Sequence, residues 1–136
     1  MNSDRLSAVW APGALGVLSI LRIFTGLALL QHGTGKILGF PFVPTFANVQ
    51  IGSLSGMGGL IELIGGILFT IGLFTRPVAF ILSGFTAGAY FTAHAGKGFY
   101  PVSNGGELAA LYCFVFLYFA FVGAGPWSVD ALLGRK

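Results

Sequence analysis

The chain has 136 residues, of which 55% are hydrophobic and only 8% are charged, and its mean hydropathy is +0.87. Soluble domains carry about 25% charged residues, so a soluble fold of this size could not hide so much apolar surface from water. The net charge of +3 comes from seven Lys and Arg residues against four acids, with no basic run, which argues for membrane topology and against nucleic-acid binding.

The first predicted membrane span covers residues 14–32. Its apolar run contains Arg22 and has no small-x-small cleavage pattern, so we predict a retained helix and not a signal peptide. Residues 33–55 are rich in glycine and proline and too polar to cross a membrane. They predict a loop with one interfacial helical turn near residues 45–49.

Three further spans follow, at residues 57–75, 78–95 and 106–122. The span at residues 57–75 contains a single charge, Glu62, and should end before Pro77, which can occupy the first turn of the next helix. The sequence therefore predicts an all-α integral membrane protein. Its architecture is a four-helix bundle with four transmembrane helices, forming one domain over residues 1–136.

The orientation follows from the Lys and Arg residues outside the spans. Four lie on one predicted side of the membrane and two on the other: Arg5, Arg76, Arg135 and Lys136 against Lys36 and Lys97. Cytoplasmic loops carry the excess of positive charge. Both termini are therefore predicted to be cytoplasmic.

Helical periodicity of 100° per residue predicts one inward stripe on each span, polar toward the outer membrane face. In chain order the stripes are Arg22, Gly26, Leu29, Gly33 and Lys36; Ser55, Gly58, Glu62, Gly66 and Phe69; Ser83, Ala87, Tyr90 and His94; and Glu107, Leu111, Phe114, Tyr118 and Phe121.

Arg22 and Glu62 are the two costly residues inside the spans. A carboxylate there costs about 2.5 to 3.5 kcal/mol, so Glu62 should face protein or a water-filled cavity. We predict that Arg22 and Glu62 pair with each other. Such a pair could be functional, or could serve only to fix the register of two helices.

Three segments carry a family resemblance: LRIFTGLALLQHGTGKILGF, GLIELIGGILFTIGLFTRPVAFI and YFTAHAGKGFYPVSNGGELAALYCFVFLYFAFVGAGPWSVD. Together they resemble the DoxX family of small bacterial membrane proteins, from about Leu18 to Leu133. The resemblance implies the bacterial inner membrane and a link to redox chemistry, since named relatives include a subunit of a thiosulfate:quinone oxidoreductase.

No nicotinamide, flavin or iron–sulfur motif is visible in the sequence, and Cys113 is the single cysteine. We therefore expect no intrinsic cofactor and no metal site, and a quinone or a partner subunit would carry the electrons. The predicted function is a membrane subunit associated with quinone-linked redox chemistry. Whether the chain is itself an enzyme, as a component of a quinone-dependent oxidoreductase, stays open at this point.

A quinone ring needs hydrogen-bond donors, a group that exchanges protons, and apolar walls. Donors could come from His32, Lys36, Tyr90 and His94, and proton exchange from Glu62 or Glu107. Phe69, Phe114 and Tyr118 could form walls. The full set of candidate pocket residues is Arg22, His32, Lys36, Glu62, Tyr90, His94 and Glu107. Each also has a plain structural reading, as an interface residue, packing aromatic or first-turn acid.

Two other readings stand beside the quinone site. Haem b between His32 and His94 is disfavoured, because bis-histidine haem usually binds deeper in a bundle. The main alternative is a non-catalytic accessory or scaffold subunit of a larger membrane complex, whose glycine-rich faces associate with a partner or with a second copy. The expected partners are membrane lipid, a quinone, and either a second copy of the chain or a larger membrane complex.

Overall fold

The computed structural model describes the backbone of residues 3–135 and the side chains of residues 13–135. Arg5 and Lys136, which entered the orientation prediction, therefore have no described side chains. Within this part there is no strand, and the all-α prediction is confirmed. The helices are α1 (Ser3–Leu38), α2 (Leu54–Ile71), α3 (Thr75–Ala93), α4 (Pro101–Asn104), α5 (Glu107–Val122) and α6 (Val129–Leu132), with 3₁₀ turns at Pro44–Phe46 and Ala95–Lys97.

Three helical stretches of the described chain are long and apolar enough to cross a membrane: Gly13–Leu38, Leu54–Ile71 and Thr75–Lys97. Helix α5 is also apolar, but it has only 16 residues. That is a rise of about 24 Å, less than a hydrocarbon core of about 30 Å. The prediction of a helical membrane protein is thus confirmed.

Helix α1 continues to Leu38, so the predicted end at residue 32 is wrong. Gly33 begins the predicted loop, but in the structure it lies at a close crossing of α1 and α2. A Cβ atom built on Gly33 would lie 2.7 Å from the Cα atom of Leu63. The glycine therefore serves helix packing and does not break the helix.

The second helix, in contrast, ends earlier than the predicted residue 75. Helix α2 begins after Ser53, whose hydroxyl accepts the backbone N–H of Gly56 at 3.1 Å, and it ends at Gly72 with φ of 70°. A left-handed glycine at this position is a common helix terminator. Pro77 lies in the first turn of α3, as predicted.

The core lies between α1, α2, α3 and α5. The ring of Phe69 meets those of Phe116 and Phe119 edge to face, with centroids 4.9 and 5.1 Å apart. These rings share the core with Leu29, Ala79, Leu82 and Tyr112.

The predicted inward stripes of the first two spans face inward except at Ser55, which is exposed, and the stripe of the last span is wrong. Arg22, Gly26, Leu29, Gly33, Gly58, Glu62, Gly66 and Phe69 are buried. On α5 the predicted stripe points outward, since Leu111, Phe114, Tyr118 and Phe121 are all exposed. The helix is apolar all round, so its sequence periodicity does not reveal which face packs inward. The predicted walls Phe114 and Tyr118 are therefore wrong as well.

The long helices run up and down and give the bundle two different ends. One end, which we call the cavity end, carries residues 36–58 and 90–107, including both 3₁₀ turns and α4. We call the opposite end the tail end. The first of these turns, Pro44–Phe46, overlaps the predicted interfacial turn. At the tail end, residues 123–135 pack against the turn between α2 and α3, where the N–H of Asp130 donates to the carbonyl of Gly72 at 2.9 Å.

Candidate functional site

A buried ion pair joins α1 to α2 at the cavity end. The Nζ atom of Lys36 donates to both carboxylate oxygens of Glu62, at 2.8 and 3.0 Å, and the two side chains are only 13% and 8% exposed. Gly59 lets the helices approach here, because a Cβ atom built on it would lie 2.9 Å from the Cβ atom of Lys36. Each charge thus compensates the other, which is what an intramembrane carboxylate requires.

The predicted Arg22–Glu62 pair is wrong. Arg22 lies at the tail end, where its guanidinium donates to backbone carbonyls: to Ala124 through Nη1, and through Nη2 to Trp127 at 2.6 Å and Thr70 at 3.3 Å. Thr70 lies in the last turn of α2, where a cation also complements the helix dipole. The charged residues of the sequence do not indicate this arrangement, because the acceptors are main-chain oxygens.

A cavity of about 390 Å³ opens beside the ion pair. Four of the seven candidate residues line it: His32, Lys36, Glu62 and His94. The remaining walls include Leu29, Phe46, Ser55, Phe85, Thr86, Leu108 and Tyr112.

The other three candidates do not line this cavity. Arg22 lies at the opposite end of the bundle, and Glu107 is exposed at the start of α5. The hydroxyl of Tyr90 instead accepts a hydrogen bond from Asn104 at 3.1 Å.

Two aromatic residues that the sequence reasoning missed form the walls around His32. The imidazole meets the ring of Tyr112 edge to face at 6.5 Å and that of Phe46 at 6.1 Å. Phe46 also lies under the ammonium of Lys36, with Nζ 5.3 Å from the ring centroid. Phe46 comes from a single 3₁₀ turn, which is too short for periodicity to indicate an inward side chain. The inward face of α5 is not the predicted one, so the sequence did not indicate Tyr112 either.

Asn104 organises the far wall of the cavity. Its amide donates to the Tyr90 hydroxyl and, at 2.9 Å, to the carbonyl of Gly98, while its Oδ1 atom accepts the N–H of Gly106 at 2.8 Å. Its own carbonyl lies 3.3 Å from Nδ1 of His94. Since a carbonyl only accepts, this contact assigns the proton of His94 to Nδ1.

His32 is a polar side chain of the cavity that is free to bind a ligand. Within the described part of the chain its ring nitrogens make no hydrogen bond, whereas Lys36 is bound to Glu62 and His94 to Asn104. The same part brings together no group of three His, Cys, Asp or Glu side chains able to hold a metal ion. The arrangement can therefore offer one free imidazole, an ion pair and aromatic walls to a ligand.

The family profile of DoxX matches residues 17–95. The chain belongs to the DoxX family. It is 50% identical over 123 residues to an uncharacterized protein of Haemophilus influenzae, covering 88% of this chain and 92% of that protein. It is 29% identical over 132 residues to the inner membrane protein YqjF of Escherichia coli K12, covering 90% and 95%. No solved structure gives a significant match.

These matches confirm the family resemblance and the predicted localisation. The protein is a multi-pass protein of the bacterial inner membrane.

Proposed function

We propose that this DoxX protein binds the headgroup of a quinone in the cavity beside Lys36 and Glu62, as a membrane subunit linked to quinone redox chemistry. The observation that carries the proposal is the free imidazole of His32, set between two aromatic rings and next to a buried ion pair. Mostly apolar pockets with a few convergent polar groups are typical ligand sites.

The residues present fit a quinone headgroup. His32 would donate to a ring carbonyl, and the rings of Phe46 and Tyr112 would form the walls. When bound, the quinone would supply the two-electron chemistry. Glu62, bound to Lys36 at 2.8 Å, would be the group that exchanges protons with the bound quinone.

The proposal is tested by equilibrium binding of a radiolabelled short-chain benzoquinone to the purified protein in detergent. Saturable binding is expected. His32→Phe keeps the ring but removes the donor, and should weaken binding by about tenfold, the worth of one hydrogen bond. Glu107→Gln is the matched control, because it changes an exposed acid at the same end outside the cavity. Absence of saturable binding, or equal affinity in His32→Phe, would contradict the proposal.

We also propose that α5 is the fourth span and that both termini are cytoplasmic. The support is the up-and-down course of the four long helices, together with the distribution of charge. Arg76 and Arg135 lie at the tail end, while Lys36 and Lys97 belong to the cavity end. The positive-inside rule then assigns the tail end to the cytoplasm.

A second candidate function is that of a non-catalytic subunit that associates with a copy of itself or with a larger complex. The specific support is the face of α3 that carries Gly84 and Gly88. Both are exposed, and a Cβ atom on either would meet nothing within 4 Å. Such a face allows close contact with another helix.

Gly84→Leu would separate the two functions. It should abolish self-association or co-purification of a partner if this face is an interface, as measured by light scattering and by pull-down from membranes. Quinone binding should be unaffected, because the cavity lining does not include Gly84. An unchanged assembly would remove the support for the second candidate.

A further inference from the structure

A second cavity, of about 460 Å³, lies at the tail end of the bundle. It opens between the start of α3 and the chain that follows α5, and its walls include Arg76, Arg135, Thr75 and Gly123. It is distant from the quinone site in the fold and shares no lining residue with it. A ligand of this cavity is therefore independent of the quinone site, while its cytoplasmic location rests on the proposed topology.

The charge of this cavity is positive, because two guanidinium groups face one carboxylate. The carboxylate, Asp130, already accepts the backbone N–H groups of Phe74 at 2.9 Å and Thr75 at 2.8 Å. Arg135 approaches Asp130 only to 4.0 Å and lies over the ring of Phe74, 4.4 Å from its centroid. Asp130 therefore neutralises Arg135 only in part.

Arg76 is the more available of the two arginines. It is exposed and forms no ion pair within the part of the chain that the structure describes. Its Nε atom borders Gly123, where a Cβ atom would lie 3.4 Å away. Arginine has a rigid fork of donors that matches phosphate oxygens.

A buried hydroxyl points to the same ligand chemistry. Thr75 is only 1% exposed and lines the cavity, and its Oγ1 atom, which lies beside the carboxylate of Asp130, completes no hydrogen bond of normal geometry among the described residues. An unsatisfied buried hydroxyl calls for an explanation, and a bound oxygen ligand would supply one.

The surroundings place this cavity at the membrane surface. Phe74 and Val122 line it and are 49% and 40% exposed, and Trp127, next to the lining residue Ser128, is 58% exposed. Exposed Trp side chains concentrate at the level of the lipid headgroups. Basic pockets between helices on the cytoplasmic side are suited to anionic headgroups.

We propose that this cavity binds the phosphate of an anionic phospholipid, held by Arg76 and Arg135, with the hydroxyl of Thr75 as a further donor. The site would fix a lipid between α3 and the C-terminal segment. The ligand chemistry is a phosphate ester, which free phosphate shares, so the test compares the two sources.

Trp127 provides the reporter. In a Trp10→Phe background, the protein is reconstituted in phosphatidylcholine vesicles that contain increasing fractions of dibrominated phosphatidylglycerol, or dibrominated phosphatidylcholine as the neutral comparison. The anionic lipid is expected to quench Trp127 at a lower mole fraction. Because each basic residue near a membrane surface is worth about 1 kcal/mol, Arg76→Gln and Arg135→Gln should each lower this preference by about fivefold.

Lys97→Gln is the matched control, since it removes an exposed positive charge at the cavity end. It should leave the lipid preference unchanged. Arg76→Lys keeps the charge and should retain more of the preference than Arg76→Gln. Together with the loss expected in Arg135→Gln, it tests the site even if Arg76→Gln does not fold.

Three results would overturn the inference. One is equal quenching by the two lipids in the unsubstituted protein, and another is a preference that survives both glutamine substitutions. The third is loss of the quenching difference when inorganic phosphate is added at the ionic strength of a sodium chloride control, which would assign the site to a soluble anion.

Discussion

Glu62 and Arg22 show two different ways of keeping a charge inside a membrane bundle. Glu62 meets an ammonium from the neighbouring helix, whereas Arg22 donates to the carbonyls of three residues. The need for partners was predictable from the cost of an intramembrane charge. The partners themselves were not, because Lys36 shares the predicted stripe but lies beyond the predicted end of the first span, and the carbonyls that bind Arg22 carry no sequence signal.

The ion pair makes a direct prediction for stability. Lys36→Met and Glu62→Leu each leave one buried charge without a partner and should lower the free energy of unfolding by about 3 kcal/mol. The double variant should lose less than the sum of the two. Denaturation in detergent micelles, followed by circular dichroism, measures all three.

The matched control combines Glu62→Leu with Arg22→Leu. These side chains lie at opposite ends of the bundle, so their effects should add within about 0.5 kcal/mol. Additive losses for Lys36 and Glu62, or strong coupling between Arg22 and Glu62, would contradict the assignment.

At the level of elements, glycines on α1 and α2 determine how closely the two helices pack. The stripe from Arg22 to Gly33 was predictable because polar and small residues recur on one face of an otherwise apolar helix. Helix α5 offered no such contrast. Its inward face is selected by the fit of Phe116 and Phe119 against Phe69, which is a tertiary property.

Gly33→Ala should destabilise the bundle. Its new methyl group would overlap the backbone of Leu63, and overpacking of this kind costs about 1 to 3 kcal/mol. Gly13→Ala is the control, because the same atom on Gly13 would meet nothing within 4 Å. Thermal unfolding of the two variants in one detergent measures the difference. Equal melting temperatures would contradict the close crossing.

Asp130 caps helix α3 from the C-terminal segment. Burial by itself raises the pKa of this carboxyl, but hydrogen bonds from Thr75 and Phe74 and the charge of Arg135 lower the pKa overall, below its ordinary value of 3.8. A carboxyl with a lowered folded-state pKa stabilises the protein above its ordinary pKa. That contribution is lost as the pH falls through the lowered value.

Asp130→Ala should therefore reduce stability at neutral pH by about 1 kcal/mol, the usual worth of a helix cap. It should also flatten the decline in melting temperature between neutral pH and about pH 3, where Asp carboxyls titrate. Glu107→Gln, which alters an exposed acid, should keep the pH profile of the unsubstituted protein. Parallel profiles for Asp130→Ala and the unsubstituted protein would rule out the capping role.

At the scale of the whole molecule, composition and hydropathy were sufficient to predict a helical membrane protein, because no other fold hides so much apolar surface in a chain of this size. The site was only partly predictable. Lys36 and His94 lie at helix ends, and His32 and Glu62 lie about two turns further in, on helix faces that the up-and-down order brings together. Phe46 reaches them from a short 3₁₀ turn, and Tyr112 from the inward face of α5. Neither position is indicated by the periodicity of the sequence.

The proposed topology can be measured with single cysteines in a Cys113→Ala background. Gly96→Cys and Leu133→Cys both change exposed positions, one at each end of the bundle. A membrane-impermeant thiol reagent should label the first in intact spheroplasts and the second only after lysis. Labelling of both, or the reverse order, would contradict cytoplasmic termini.

The most direct test of the account is photo-crosslinking with an azido-benzoquinone on the membrane-embedded protein, followed by mass spectrometry of the peptides. The account predicts labelling of the wall of the cavity, at residues such as His32, Phe46 and Tyr112, which excess unlabelled quinone suppresses. Labelling spread over the lipid-facing surface, or labelling that excess quinone does not reduce, would show that this cavity is not a quinone site.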